Sequence, residues 1–168
     1  MAKEPRKLDE LFHDTLKDIY YAERKILAAL PKMARAARND GLRIAFEKHE
    51  GETEQQVARL EEVFELIEKK PQAKKCPAIE GIIEEGQEIM KEYKGSPALD
   101  AGLLSAAQSV EHYEISRYGT LRTWAEAMGI ERARILLQQT LDEEIATDGA
   151  LSELAEAVVN QEAQGTAA

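Results

Sequence analysis

Residues 107–121 read AQSVEHYEISRYGTL, and the spacing inside this stretch decides how the chain folds. On a helix of 3.6 residues per turn, Ala107, Glu111, Glu114, Tyr118 and Leu121 share one face. Leu103, Leu104, Val110 and Ala125 extend that inward set on either side. The stripe is apolar at its ends and acidic in its middle. A carboxylate set among aliphatic side chains needs compensation, so this helix must pack its acids against groups that supply it.

Working outward, three further segments repeat the design. Phe12, Leu16, Ile19, Glu23, Ile26 and Leu30 advance by three or four, with Leu8, Leu11, Leu27 and Met33 on the same broad face. Ala45, His49, Glu52, Gln56 and Leu60 form a second such row, and Leu137, Leu141, Glu144, Asp148 and Leu151 a third, joined by Ile135, Leu154 and Val158. The periods predict long helices over about 8–38, 41–69, 97–128 and 131–160. Asn39-Asp40-Gly41 turns the chain between the first two, and Gly129 closes the third. Pro31 removes a hydrogen bond to Leu27 and should kink the first helix.

Between the hairpins, Lys69 to Lys75 is a polar connector broken by Pro71. Cys76-Pro77 then opens a short helix at about 78–93, and Gly95-Ser96-Pro97 ends it and starts the next long one. Residues 161–168 read as a frayed tail. The expected architecture is a single domain over 1–168: an all-α four-helix bundle whose long middle crossover carries a short extra helix. A simple up-down bundle with an added helix has the same periodicity.

The formal charge of -10 argues against a surface for nucleic acid or anionic membrane, since both need clustered Lys and Arg. The sequence opens on an amphipathic segment without an apolar signal core, and a cytoplasmic location is expected. Cys76 is the one cysteine, which rules out an intrachain disulfide.

Each of the four long helices interrupts its stripe with acid near its middle. Glu23 and Glu52 are 29 positions apart and Glu111 and Glu144 are 33 apart, so both hairpins bring acid to comparable heights. Divalent cations are the simplest compensation, and oxygen donors suit iron, manganese or magnesium. The nitrogen of His49 tilts that choice toward a transition metal. The expected ligands are Glu23, Glu52, Glu111 and Glu144, completed by His49, Glu114 and Asp148, around two iron ions with manganese as the alternative. Glu143 is placed on the surface, because Glu144 keeps better phase with Leu137, Leu141 and Leu151. His13 and His112 lie off the acidic stripe, and Trp124 lies beyond it. Tyr20 and Tyr118, one turn from acids, are candidates to hydrogen-bond a ligand carboxylate.

The run Leu11-Phe12-His13-Asp14-Thr15-Leu16-Lys17-Asp18-Ile19-Tyr20, followed by Ala22-Glu23, carries a further signal. So do Glu111-His112-Tyr113-Glu114-Ile115 with Tyr118-Gly119-Thr120-Leu121, and Leu141-Asp142-Glu143-Glu144 with Ala146-Thr147-Asp148. Across nearly its whole length the sequence resembles the stress-associated YciF family of ferritin-like proteins. That resemblance implies a ferritin-like bundle related to rubrerythrin, a homodimer and a dinuclear metal centre. The usual ferritin-like pattern takes Glu-x-x-His from two helices. Here the second helix has the reverse order, His49-x-x-Glu52, while the third has Glu111-x-x-Glu114 and the fourth Glu144-x-x-x-Asp148. One imidazole at most is available. The expected function is a di-metal protein that reacts with dioxygen or hydrogen peroxide. The alternatives are a non-catalytic dimeric helical stress protein with a structural metal, or iron storage in a closed shell of subunits.

Overall fold

The structure, a computed structural model, describes residues 5–165, and its elements are helical, with no strand among the described residues. The four long helices are α1 (Leu8–Ala36), α2 (Asp40–Leu66), α4 (Leu99–Ala127) and α5 (Glu131–Leu154); α3 (Pro77–Glu92) is the short helix of the connector. Local chemistry sets their starts. The Asn39 side chain accepts the Leu42 N–H at 3.1 Å to cap α2, Cys76 Sγ accepts the Ile79 N–H at 3.5 Å to cap α3, and Ser96 Oγ accepts the Ala98 N–H just before α4. Gly95 and Gly129 close the turns at positive φ, 78° and 71°.

Helix neighbours settle the topology. α1 packs on α2 and α4, and α5 packs on α4 and α2, so the order around the bundle is α1, α2, α5, α4. Near the start of α4 the buried Asp100 carboxylate accepts the N–H groups of Arg38 at 2.9 Å and Asn39 at 2.7 Å. The α1–α2 turn and the beginning of α4 therefore share one end of the molecule. α2 and α4 run parallel across the diagonal, and residues 67–98 carry the chain back along the bundle's length. An up-down bundle, which would make these two helices antiparallel neighbours, is excluded. The fold is the four-helix bundle with a crossover.

The connector lies along α1, where the Lys74 N–H donates to the Lys17 carbonyl at 3.0 Å, and α3 packs on α4 and α1. Its close approach to α4 depends on Gly102, since a Cβ there would stand 2.5 Å from Ile89 Cγ2.

The core is built on Phe12, Leu16, Ile19, Phe46, Leu60, Phe64, Leu103, Leu121 and Leu137. Burial of each such side chain is worth roughly 1.5–3 kcal/mol. Two expected core residues lie outside it. Leu11 and Ile135 are about half exposed, because α1 turns Phe12, Thr15 and Leu16 inward and α5 turns Ala133, Leu136, Leu137 and Thr140 inward. α1 continues as helix through Pro31 to Ala36. After α5 the chain widens into a π turn (Ala155–Val159) and then forms α6 (Asn160–Ala163). There Asn39 Nδ2 donates to Glu162 at 3.1 Å, which ties part of the expected frayed tail to the bundle; residues 166–168 lie outside the described residues.

Candidate metal centre

Mid-height in the bundle, the stripes turn acid toward a common point. Glu23 of α1, Glu114 of α4 and Glu144 of α5 are 0% exposed, Glu111 of α4 is 1% and His49 of α2 is 3%. One donor atom from each of His49, Glu111, Glu114 and Glu144 lies within 4.8 Å of all the others. His49 Nε2 stands 3.3 Å from Glu111 and 3.8 Å from Glu144. Glu23 adjoins Glu114 and accepts a hydrogen bond from the Tyr118 hydroxyl on α4. Gln56, one turn beyond Thr53 on α2, donates its amide N–H to Glu144.

Burial without a cation leaves these acids short of charge compensation. All four carboxyls are pushed above the usual carboxylate range, chiefly by desolvation and then, for Glu23, Glu111 and Glu114, by neighbouring carboxylates, Glu144 acting on all three. Desolvation raises Glu144 too, while Glu111 and His49 pull it back. The Tyr118 hydroxyl is driven well up by the same burial and by Glu23. Among the described residues, eleven buried side-chain nitrogen and oxygen atoms lack a hydrogen-bond partner. Nine of them belong to Glu23, His49, Glu52, Gln56, Glu111, Glu114 and Glu144. Buried polar atoms are ordinarily satisfied, so this concentration marks a place built for something that accepts lone pairs. Four carboxylates and one imidazole are the donor set for one or two divalent transition ions, and the residues fit them.

Two of the expected residues sit at the margin. Glu52 is a quarter exposed, 3.7 Å from His49 Nδ1 and 2.5 Å from Lys48 Nζ; the nearness of His49, then of Lys48, holds its carboxyl down at about 2. It faces the ring nitrogen opposite the one that meets Glu111, and the inward position one residue on is taken by Thr53. Asp148 is held at the outer edge by Gln108 Nε2 at 3.1 Å and the exposed His112 at 3.2 Å.

Other sequence candidates fall clear of the cluster. Tyr20 donates to Glu61 at 2.8 Å rather than to a clustered acid, and His13 packs edge-on against Phe64. Trp124 is half-buried against the core. Glu143 is not a free surface acid: it takes a two-pronged bond from Arg59 at 2.6 and 2.8 Å, clamping α2 to α5 beside the cluster. Gln56 lies on the inward row of α2, but its role and that of Arg59 are not legible in the sequence, because their partners come from a helix more than eighty residues away.

Comparison with known proteins matches this framework. A family model described as a domain of unknown function, DUF892, covers residues 7–164. Protein YciF of Escherichia coli (strain K12) is 43% identical over 163 residues, spanning 96% of this chain and 98% of that protein. The chain belongs to the YciF family. The crystal structure of that Escherichia coli stress protein superposes with a TM-score of 0.89 over 94% of this chain and 99% of its own, at 43% identity. YcfI from Rhodopseudomonas palustris, described as a proposed structural protein, gives 0.85 over 90% and 97% at 41% identity. A protein from Xanthomonas campestris, 22% identical, shares the fold at 0.74. Among the described residues no helix is long and apolar enough to cross a membrane.

Proposed function

We infer that this member of the YciF family is a dinuclear non-haem iron protein, with manganese as the alternative ion, that handles a small oxidant. One observation carries this reading: four buried carboxyls and an imidazole converge, each with at least one buried donor or acceptor atom left unpartnered. Glu23, Glu111, Glu114, Glu144 and His49 would hold the ions, with Glu52 and Asp148 at the two margins. Two divalent ions would balance the four carboxylates. When bound, such a pair supplies electrons and a shared binding position for dioxygen or hydrogen peroxide.

The chain's own residues do the positioning. Tyr118 fixes the Glu23 carboxylate by its hydroxyl, and Gln56 fixes Glu144 by its amide. Glu52, beside Nδ1, favours the His49 tautomer that presents a bare Nε2 to the centre. The aliphatic stripe above and below keeps bulk water out. The chain would work as a cytoplasmic homodimer.

Anaerobic titration of chelator-stripped protein with iron(II) or manganese(II), read by calorimetry and elemental analysis, tests the reading. Two ions per chain are expected, falling in Glu114→Ala; a wild type that takes up none overturns it. A second reading, a structural metal clip, is favoured by the near-complete burial of the donors. It predicts a loaded protein that melts higher than the stripped one yet consumes neither dioxygen nor peroxide.

A further inference from the structure

A cavity of about 40 Å³, traced by the centre of a water-sized sphere, lies between α1, α2, α3, α4 and α5. One water needs only about 10–15 Å³ on that measure, so a diatomic molecule has room. Its walls are aliphatic, aromatic and thioether groups, including Leu30, Met33, Phe46, Met90 and Val110. Its polar lining falls into two groups. At the inner end stand His49, Glu111 and Thr147, so the space abuts the cluster on the side of the one imidazole. At the outer end Lys32 and Gln87, with Ala29 and Ile83, also line an open surface cleft between α1 and α3. The cavity therefore lies between that cleft and the centre, in position to serve as a passage, with α3 as its outer wall.

We propose that this passage binds and delivers dioxygen. The inference rests on the oxidant-handling reading of the centre and narrows its substrate. An apolar wall holds no water firmly and favours an apolar gas. Hydrogen peroxide would give up its hydrogen bonds to water along the same path without replacement. The short crossover helix thus acquires a task beyond spanning the bundle: it closes the passage on one side, brought close to α4 by Gly102.

Xenon, a gas of similar size and polarity, reports the passage without any metal. Crystals of the wild type pressurised with xenon should show an atom between Phe46, Met33 and Val110. Ala29→Phe, with Ile83→Trp as a second plug from the opposite wall, should lose it while keeping the wild-type melting temperature and metal content. In iron-loaded protein the same plugs should slow oxygen consumption by about tenfold or more and leave peroxide consumption within about twofold. No xenon in a wild type that does consume oxygen overturns the passage alone. Xenon in place, with a loaded wild type that consumes no oxidant, overturns the proposed function and the delivery role with it. Plugs that block xenon but leave oxygen consumption unchanged also overturn delivery by this route.

Discussion

Stripping the cluster of cations should make the protein less stable as pH rises from 5 to 8, the reverse of ordinary acid denaturation. Glu23 is the clearest case, its carboxyl pushed up to about 8 by burial and by Glu144 against 4.5 for a free glutamate. Below pH 4.5 both the folded and the unfolded chain hold this proton. Between 4.5 and 8 the unfolded chain has released it and the folded chain has not, so unfolding liberates a proton and is favoured by rising pH. One such proton is worth about 1.4 kcal/mol per pH unit, or about 3 kcal/mol between pH 5 and 7. Glu111, Glu114 and Glu144 shift in the same direction and steepen the slope. Asp14, held at about 2 by Lys17 and Arg6, and Glu52, also at about 2, add stability that is lost only as pH falls below 4.5; within the window His13, lowered from 6.5 by burial, opposes the trend but is one group against four. Urea melts in chelator at pH 5, 6 and 7 should show the midpoint dropping by at least the about 1–3 M that the Glu23 proton alone gives, for an m-value of about 1–3 kcal/mol/M. Glu23→Gln should flatten the curve by about one proton. Saturating manganese(II) should reverse its sign, because the ions replace the protons. A stripped protein whose stability is flat or rises from pH 5 to 7 refutes the reasoning.

Three substitutions separate the centre from the scaffold. Gln56→Leu removes the amide that fixes Glu144 and should weaken metal binding by about tenfold, measured by competition with a chromophoric chelator. Asp100→Ala leaves the Arg38 and Asn39 N–H groups without their acceptor and should cost about 2–3 kcal/mol in urea denaturation; a loss below about 0.5 would contradict its role as the tie between the α1–α2 turn and α4. Gly102→Ala forces a methyl against Ile89, and the overpacking of about 1–3 kcal/mol should outweigh the helix propensity gained, about 1 kcal/mol, lowering the melting temperature.

The helices could be read from the sequence because side-chain face is a local property. A stripe such as Ala107, Glu111, Glu114, Tyr118, Leu121 carries its own phase, and the inward turn of Glu23, Glu111, Glu114 and Glu144 followed from it. Where two neighbouring residues compete for one face, phase alone fails. Thr53 takes the inward place beside Glu52, and Thr147 the one beside Asp148, through rotations of less than one residue that only packing decides. Non-local facts were out of reach. The choice between crossover and up-down bundles rests on α2 and α4 sharing a starting end, which Asp100 reveals and periodicity does not. Glu143 looked like a surface acid until α2 set Arg59 opposite it.

Exposed residues 69–75 are tied down by few bonds, the Lys69 N–H to the Phe64 carbonyl, the Lys74 N–H to the Lys17 carbonyl and the Lys75 ammonium to Glu80. A tryptic cut there divides the five central donors: Glu23 and His49 stay with one piece, and Glu111, Glu114 and Glu144 with the other. Neither piece owns enough carboxylates to trap a pair of ions. On the proposed metal reading, ion capture during refolding would begin only when the two hairpins have docked, and its onset would serve as a clock for the last large step of assembly.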